Sequence, residues 1–183
     1  MRKTIIVLIG IIVLNVGLNA QEQNSETLKP FYFGMGLSNI QTTGDVWGTF
    51  DFGFLLYKNE AKRYNIRNSI MIDGGRFSSY GNDFGIYSLS DKLIVETLSL
   101  NGLFRYYSFL QGGIGILGNE NKAFFEKPLT YNFGLGIGID IFVEKNMSIF
   151  FDYTCLFNIL QNTKFEYKES LSPKFQMGVR YYF

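Results

Sequence analysis

The residues of this chain that could carry chemistry are seven charged side chains, which share predicted strand faces with glycine, serine, threonine and asparagine. They are Asp51, Arg67, Asp73, Arg105, Asp140, Asp152 and Arg180. Carboxylates in a confined space can act as general acids and bases, and a guanidinium can orient an anionic group. The competing interpretation is a structural network, because charges removed from water must be paired to offset their lost hydration.

The absence of histidine limits the catalytic interpretation. The sequence contains none, and imidazole is the side chain that titrates near neutral pH and most often moves protons in enzymes. Neither a Ser–His nor an Asp–His site can therefore be assembled. A site made only of aspartate and arginine stays open, but ion pairing is the default explanation. We predict a structural ion-pair network, no enzyme, and no catalytic, cofactor-binding or metal-binding residues.

Two other motifs have structural explanations. The Gly-x-Gly-x-Gly run at residues 134–138 is typical of nucleotide-binding loops, but it lies inside a predicted strand with no helix after it. Close packing of neighbouring strands, or large side chains that face the glycines across the interior of the fold, explains them better. Cys155 is the only cysteine, so it forms no intrachain disulfide. Its place beside Tyr153 and Phe157 predicts a small side chain on the apolar face.

The fold prediction starts from the last strand, residues 173–183. Every second residue there is apolar, namely Phe175, Met177, Val179, Tyr181 and Phe183. A period of two places these side chains on one face of a β-strand. We predict that this strand closes a membrane barrel, because an unpaired strand edge in lipid leaves backbone groups unsatisfied.

Seven earlier segments alternate in the same way. The pattern predicts strands at residues 31–38, 50–57, 64–73, 94–106, 110–116, 131–141 and 148–159. Two polar residues fall on the apolar side of this pattern, Asn68 in the third strand and Glu96 in the fourth. The fold class predicted is therefore all-β, an eight-stranded antiparallel up-and-down transmembrane barrel.

The connections alternate in length, which predicts the topology. Residues 58–62, 107–108 and 144–146 are tight turns, whereas residues 74–92, 118–129 and 161–172 form long loops. The first loop, near residues 41–45, is short. Bacterial outer-membrane barrels have short periplasmic turns and longer outer loops, so both termini are predicted to be periplasmic. An aromatic girdle is predicted at that end, made of Tyr57, Tyr64, Tyr106, Tyr107, Phe142, Tyr181 and Phe183.

The start of the chain predicts export. Arg2 and Lys3 precede an apolar run, and small or polar residues follow it. Residues 1–20 therefore form a predicted cleavable signal peptide, which is too short and too interrupted for a retained membrane helix. Residues 21–29 are a flexible leader, and residues 30–183 are the barrel. The chain beyond the signal is nearly neutral, which argues against a nucleic-acid partner.

The composition of the two predicted faces indicates that the apolar face contacts lipid and that the second face lines the lumen of the barrel. Apart from Glu96 the apolar face carries no charge, as expected where a charge at the bilayer midplane costs roughly 2–4 kcal/mol. The second face mixes small residues with both signs of charge, which suits a narrow lumen. Eight strands enclose an interior that side chains just fill, so no open channel is predicted.

The sequence resembles the small outer-membrane β-barrel family that includes the OmpA transmembrane domain and OmpX, and within it the PorT-like outer membrane β-barrel domain. The resemblance covers about residues 31–183. It depends on Phe-Gly-x-Gly at residues 33–36, the strand at residues 98–106 followed by Gln-Gly-Gly-Ile-Gly, the run starting at Phe133, and the final Arg-Tyr-Tyr-Phe. These motifs are architectural.

The resemblance implies a location more than a reaction. It implies the outer membrane of a Gram-negative bacterium, and it makes the alternating C-terminal residues a signal read by the barrel-insertion machinery. The expected role is structural or surface-interacting. The alternatives are a PorT-like accessory for outer-membrane assembly or protein secretion and, third, a soluble exported ligand-binding barrel. Outer membrane lipid is the expected partner. A protein or surface ligand could bind aromatic residues of the outer loops, Phe77, Tyr80, Phe84, Tyr87, Phe124, Phe125, Phe165 and Tyr167.

Overall fold

The computed structural model describes residues 29–40, 46–59, 64–79, 82–98, 102–118, 129–160 and 169–183. The predicted signal peptide and nearly all of the leader lie outside these residues. In the part of the chain that the structure describes, no helix is long and apolar enough to span a membrane.

Eight strands form one sheet that closes on itself. They are β1 (Phe31–Ile40), β2 (Val46–Asn59), β3 (Tyr64–Ser79), β4 (Asn82–Leu98), β5 (Phe104–Gly118), β6 (Leu129–Glu144), β7 (Met147–Leu160) and β8 (Glu169–Tyr182). Each strand pairs antiparallel with its neighbours in the sequence, and β1 pairs with β8 to close the barrel. The predicted eight-stranded up-and-down barrel is thereby confirmed.

The stagger of the strands sets the width of the lumen. Following the paired residues once round the barrel from Gly34 leads to Ser170, whereas Gly34 itself pairs with Arg180, ten residues further along β8. This offset is the shear of the barrel, and it exceeds the number of strands. The strands must therefore tilt by about 40° to the barrel axis, and side chains from non-adjacent strands meet across the interior.

The prediction placed the third, fourth and fifth strands incorrectly. The predicted loop at residues 74–92 is largely strand, because β3 continues to Ser79 and β4 begins at Asn82. The predicted turn at residues 107–108 lies inside β5. The chain turns instead between Leu98 and Phe104, where Gly102 has a φ of 67°, a conformation that glycine adopts without strain. Glycines and serines near the top of β3 hid its alternation from the sequence pattern.

This displaced turn reverses the assigned faces of the fourth strand. Glu96 faces the lumen and is buried, whereas Thr97 is exposed on the outside. A shift of one residue moves every side chain of a strand to the opposite face. The prediction that Glu96 lies on the apolar outer face is therefore wrong, because the strand was assigned one residue out of phase.

The outside of the barrel is apolar and its inside is polar. Large apolar residues at alternate positions are exposed on the outer surface of every strand, for example Met35, Ile72, Leu135 and Val179. The predicted girdle is correct for Tyr57, Tyr106, Tyr181 and Phe183, which are exposed, and Tyr64 is half-buried. It is wrong for Tyr107 and Phe142, whose rings are buried inside the barrel.

Candidate functional site

Ten charged side chains are buried in the described part of the lumen. Five are acidic and five are basic, and they are Asp51, Arg67, Asp73, Lys92, Glu96, Arg105, Asp140, Asp152, Lys174 and Arg180. The structure places all seven of the charged residues singled out in the sequence on this inner face. The sequence analysis missed Lys92, which it assigned to a loop, Glu96, which it assigned to the outer face, and Lys174. The alternation of β8 could have predicted that Lys174 faces the lumen, because Lys174 and Arg180 are six residues apart and so lie on the same face of the strand.

Arg180 is the centre of this network. Its guanidinium lies 3.2 Å from Asp51, 2.9 Å from Asp140 and 3.5 Å from Asp152. It also donates to the Tyr107 hydroxyl at 2.7 Å, and Tyr107 in turn donates to Asp152. The planar guanidinium can satisfy several acceptors at once, a geometry that a lysine ammonium does not reproduce. Strands β2, β5, β6, β7 and β8 are therefore linked through one side chain.

The part of the network nearer the termini contains two more arginines. Arg67 pairs with Glu96 at 2.8 Å and donates to the backbone carbonyl of Lys29 at 2.7 Å. Arg105 lies 3.8 Å from Glu96 and 3.9 Å from Asp140. Its guanidinium also stacks over the rings of Phe142 and Tyr182, at 4.7 and 4.6 Å from their centres. Glu96 thus links two arginines on different strands.

The part of the network farther from the termini uses lysines. Lys92 lies 3.1 Å from Asp152, and Lys174 lies 2.8 Å from Asp73. Between these pairs Gln176 donates to the Thr49 hydroxyl at 3.1 Å. Every ammonium and guanidinium of the ten buried charges therefore has a carboxylate within reach, and the formal charges of these ten described residues sum to zero.

Inward aromatic rings lie against glycines on the neighbouring strand. Among the described residues the five pairs are Tyr32 with Gly53, Trp47 with Gly75, Phe109 with Gly136, Tyr107 with Gly138, and Phe150 with Gly178. A Cβ atom at any of these glycines would overlap the opposing ring. Gly136 and Gly138 belong to the Gly-x-Gly-x-Gly run, so large lumen neighbours account for these two glycines.

The chemistry available in the lumen is that of paired charges. The carboxylates that could act as acid or base accept hydrogen bonds from arginine, lysine or tyrosine, as Asp140 does from Arg180 and from the Tyr182 hydroxyl at 2.6 Å. Within the described ranges no group of three or more potential ligand residues could hold a metal ion. These contacts hold strands together, and each of the five described carboxylates has at least one cationic partner.

One polar pair lies on the outer face. Asp91 is exposed between Leu89 and Leu93 of β4, and Asn68 of β3 donates to its carboxylate at 2.7 Å. Asn68, which the alternation pattern did not explain, therefore has a partner on the next strand. Cys155 is exposed on the same apolar exterior. On β4 it is therefore Asp91, and not Glu96, that lies among outward-facing apolar side chains.

The final strand is paired up to its last residue. Phe31 and Phe183 exchange backbone hydrogen bonds of 3.2 and 3.0 Å, and their rings stack at 5.9 Å. The five residues of the predicted insertion signal, Phe175, Met177, Val179, Tyr181 and Phe183, are all exposed on the outer surface of β8 or just after it. The seam between the two ends of the chain is therefore covered by apolar side chains.

The predicted aromatic surface of the outer loops is only partly described. Phe77, Phe84 and Tyr87 belong to β3 and β4 and not to a loop, and Tyr87 is exposed. The remaining residues of that prediction lie outside the described ranges, namely Tyr80, Phe124, Phe125, Phe165 and Tyr167.

Comparison with known proteins gives a likeness of fold. The sequence matches no protein-family model and no curated protein. The structure is similar to Neisserial surface protein A, with a TM-score of 0.59 and 13% identity over 84% of this chain and 97% of that one. It is also similar to the outer membrane enzyme PagL, with a TM-score of 0.53 and 7% identity over 83% of this chain and 99% of that one.

A third similar structure is Ail, the attachment invasion locus protein of Yersinia pestis. The TM-score is 0.50, with 15% identity over 85% of this chain and 97% of that one. Ail has also been solved in complex with the heparin analogue sucrose octasulfate. All three are small barrels described as surface, outer membrane or attachment proteins, so the fold is the one that the sequence resemblance implied.

Proposed function

We propose that this chain is a small integral outer-membrane β-barrel with a structural or surface-interaction role, without an open channel and without enzymatic activity. The observation that carries this proposal is the inverted distribution of polarity. The charged side chains are buried in the lumen, and the apolar side chains cover the outside. A soluble barrel would need the opposite arrangement.

The exterior supports placement in a bilayer. Exposed apolar side chains surround the barrel on all eight strands, and several are more than half exposed, including Ile137 at 65% and Leu171 at 67%. Soluble monomers rarely expose contiguous apolar patches larger than a few hundred Å². A transmembrane barrel requires such a band. The soluble ligand-binding alternative is therefore disfavoured, and the PorT-like accessory role has only architectural motifs behind it.

The interior supports the absence of a channel. Arg67, Arg180 and Lys92 are among the largest fully buried side chains, and Arg180 and Lys92 reach carboxylates on non-adjacent strands. Conduction would require these ion pairs to separate, which leaves buried charges unpaired. We infer that the network stabilises the barrel.

The non-enzymatic role is proposed from the residues and not from the fold, since PagL shows that this fold also supports an enzyme. The sequence has no histidine. Each of the five lumen carboxylates in the described part of the chain is paired with a cation, as expected of a structural network. We therefore assign the charged residues a structural role.

Export and assembly complete the proposal. Residues 1–20 direct export, and the apolar residues of β8 up to Phe183 are recognised by the barrel-insertion machinery. Outer membrane lipid surrounds the finished barrel. A surface ligand is the partner that we propose for the outer end, in line with the complex of Ail with a heparin analogue.

Cell fractionation tests this proposal. The protein should be found in the outer-membrane fraction, and an unheated sample should migrate faster on a gel than a heated one, because a closed barrel resists unfolding in detergent. A soluble periplasmic pool that shows no heat-dependent mobility would overturn the proposal.

A further inference from the structure

A small polar cavity lies in the lumen on the side of the charged network that is farther from the termini. Its volume is about 30 Å³, and its lining includes Trp47, Asp73, Gln111, Thr130 and Lys174. The lining side chains come from strands on opposite sides of the barrel. The shear that brings distant strands together therefore also creates this space.

Three buried polar atoms of the lining residues have no hydrogen-bond partner in the part of the chain that the structure describes. They are the indole Nε1 of Trp47, Oδ1 of Asp73 and Oε1 of Gln111. Trp47 is 6% exposed, and the other two residues are 2% exposed. Buried polar groups are almost always satisfied by protein or by a bound molecule. Three unsatisfied atoms around one cavity therefore indicate a binding site.

The three atoms specify the chemistry of the ligand. Trp47 offers one donor, whereas Asp73 and Gln111 offer two acceptors. A water molecule can accept the hydrogen bond from Trp47 and donate one to each of the two acceptors, whereas a single alcohol hydroxyl has only one hydrogen to donate. Water is therefore the neutral ligand that complements this set. The volume is sufficient, since a site needs roughly 10–15 Å³ of this measure to hold one water.

The charges of the lining favour a neutral ligand. Asp73 is paired with Lys174 at 2.8 Å through its other oxygen, so the two charges offset each other. A metal ion would meet the ammonium of Lys174 and the indole donor of Trp47, and an anion would meet the carboxylate of Asp73. Neither ion would find a complementary set of partners.

We propose that this cavity is the binding site of one ordered water molecule, which accepts a hydrogen bond from Trp47 and donates one hydrogen bond each to Asp73 and Gln111. The site adjoins the charged network through the Asp73–Lys174 pair, and it does not depend on the proposed location of the protein.

Trp47 provides a direct reporter, because it is the only tryptophan in the sequence. The full barrel, labelled with ¹⁵N in detergent micelles, should give one indole N–H resonance. The measurement is the cross-relaxation between this proton and water, followed by titration with glucose and, as ionic probes, with sulfate and Ca²⁺. A long-lived bound water gives a cross-peak at the indole proton.

The variant Gln111→Met removes one acceptor at nearly constant size and should abolish or strongly weaken this cross-peak. The matched control is Gln176→Met, since Gln176 is also buried but bonds to Thr49 outside the cavity lining. Both variants are checked for heat-dependent gel mobility. If Gln111→Met does not fold, the wild-type measurements still decide the question.

A water cross-peak that glucose, sulfate and Ca²⁺ leave unchanged supports the proposal. The proposal is overturned if the folded wild-type protein shows no water cross-peak, if glucose, sulfate or Ca²⁺ displaces it, or if the cross-peak persists unchanged in a folded Gln111→Met variant.

Discussion

Asp140 and Asp91 are both strand aspartates, but they lie on opposite sides of the barrel wall. Asp140 is buried and accepts hydrogen bonds from Arg180 and Tyr182. Asp91 is exposed among apolar neighbours and accepts one from Asn68. The inner carboxylate is joined to charges on other strands across the lumen, whereas the outer one contacts the strand beside it. The contribution of a charge to this fold therefore depends on which side of the wall it occupies.

The two surfaces should also fail in different ways when they are altered. Inner residues neutralise one another, so their loss should reduce the stability of an assembled barrel. Outer residues of β8 face the medium in which the barrel assembles, so their loss should prevent insertion. The following changes separate these two effects.

The largest effect is expected from Phe183→Asp. A charge at the exposed end of the seam opposes pairing of β8 with β1 in lipid, where open backbone groups cost several kcal/mol each. Export and removal of the signal peptide should continue, but the protein should be degraded or retained in the periplasm. Fractionation measures this outcome, and Phe183→Leu, which keeps an apolar side chain, is the control. Normal membrane levels of Phe183→Asp with normal heat-dependent mobility would contradict the insertion signal.

Arg180→Ala should affect stability and not export. The change leaves Asp51, Asp140 and Asp152 without their shared cation, and removing one partner of a buried ion pair typically costs about 3–5 kcal/mol. The midpoint of urea unfolding should fall accordingly. Arg180→Lys should recover only part of the loss, because an ammonium cannot reproduce the contacts of the planar guanidinium. An unfolding curve equal to that of the wild type would exclude Arg180 as the centre of the network.

A smaller effect is expected from Gly136→Ala. The added methyl group would overlap the buried ring of Phe109, and overpacking of this kind costs roughly 1–3 kcal/mol. The matched control is Gly112→Ala, because a Cβ atom at Gly112 has no heavy atom within 4 Å. Comparison of the two unfolding free energies isolates the contact. Equal values for both variants would show that the ring moves aside freely.

The smallest effect is expected from Asp91→Leu. If the outer face lies in lipid, this change removes a carboxylate from an apolar band, and the unfolding free energy should stay within about 1 kcal/mol of the wild type or increase. Asp140→Leu, which removes the same group from the lumen, should be clearly destabilising. A loss at Asp91 as large as that at Asp140 would show that the outer pair is structural.

The sequence predicted the number of strands and seven of the ten described inward charges, because both depend on local alternation. Arg180 and Asp140 were assigned to the lumen from the period of their own strands. Glu96 was assigned to the wrong face because a turn in the wrong place reverses the parity of a strand. The three acids around Arg180 lie on β2, β6 and β7, and their meeting depends on the shear and diameter of the barrel. These quantities are set by register, which alternation alone does not encode.

The cavity beside Trp47 could not be predicted from the sequence, because it too depends on the register of the strands. Its lining residues are spread over most of the chain, and each is ordinary in its own strand. Only the closed barrel shows that Trp47, Asp73 and Gln111 share one space. The sequence therefore predicted most of the charged side chains that enter the lumen, and the structure was needed to show which of them meet.

The seam between β1 and β8 has a consequence for the order of folding. Gly34 pairs with Arg180, so the ladder that closes the barrel joins residues separated by nearly the whole chain. Contacts of such long sequence separation carry a high entropy of loop closure and slow the folding of β-proteins. Hairpins such as β3–β4 can form as the chain emerges, but closure must wait until β8 is available. Insertion should therefore follow synthesis, with an open sheet as the species that periplasmic chaperones would have to protect.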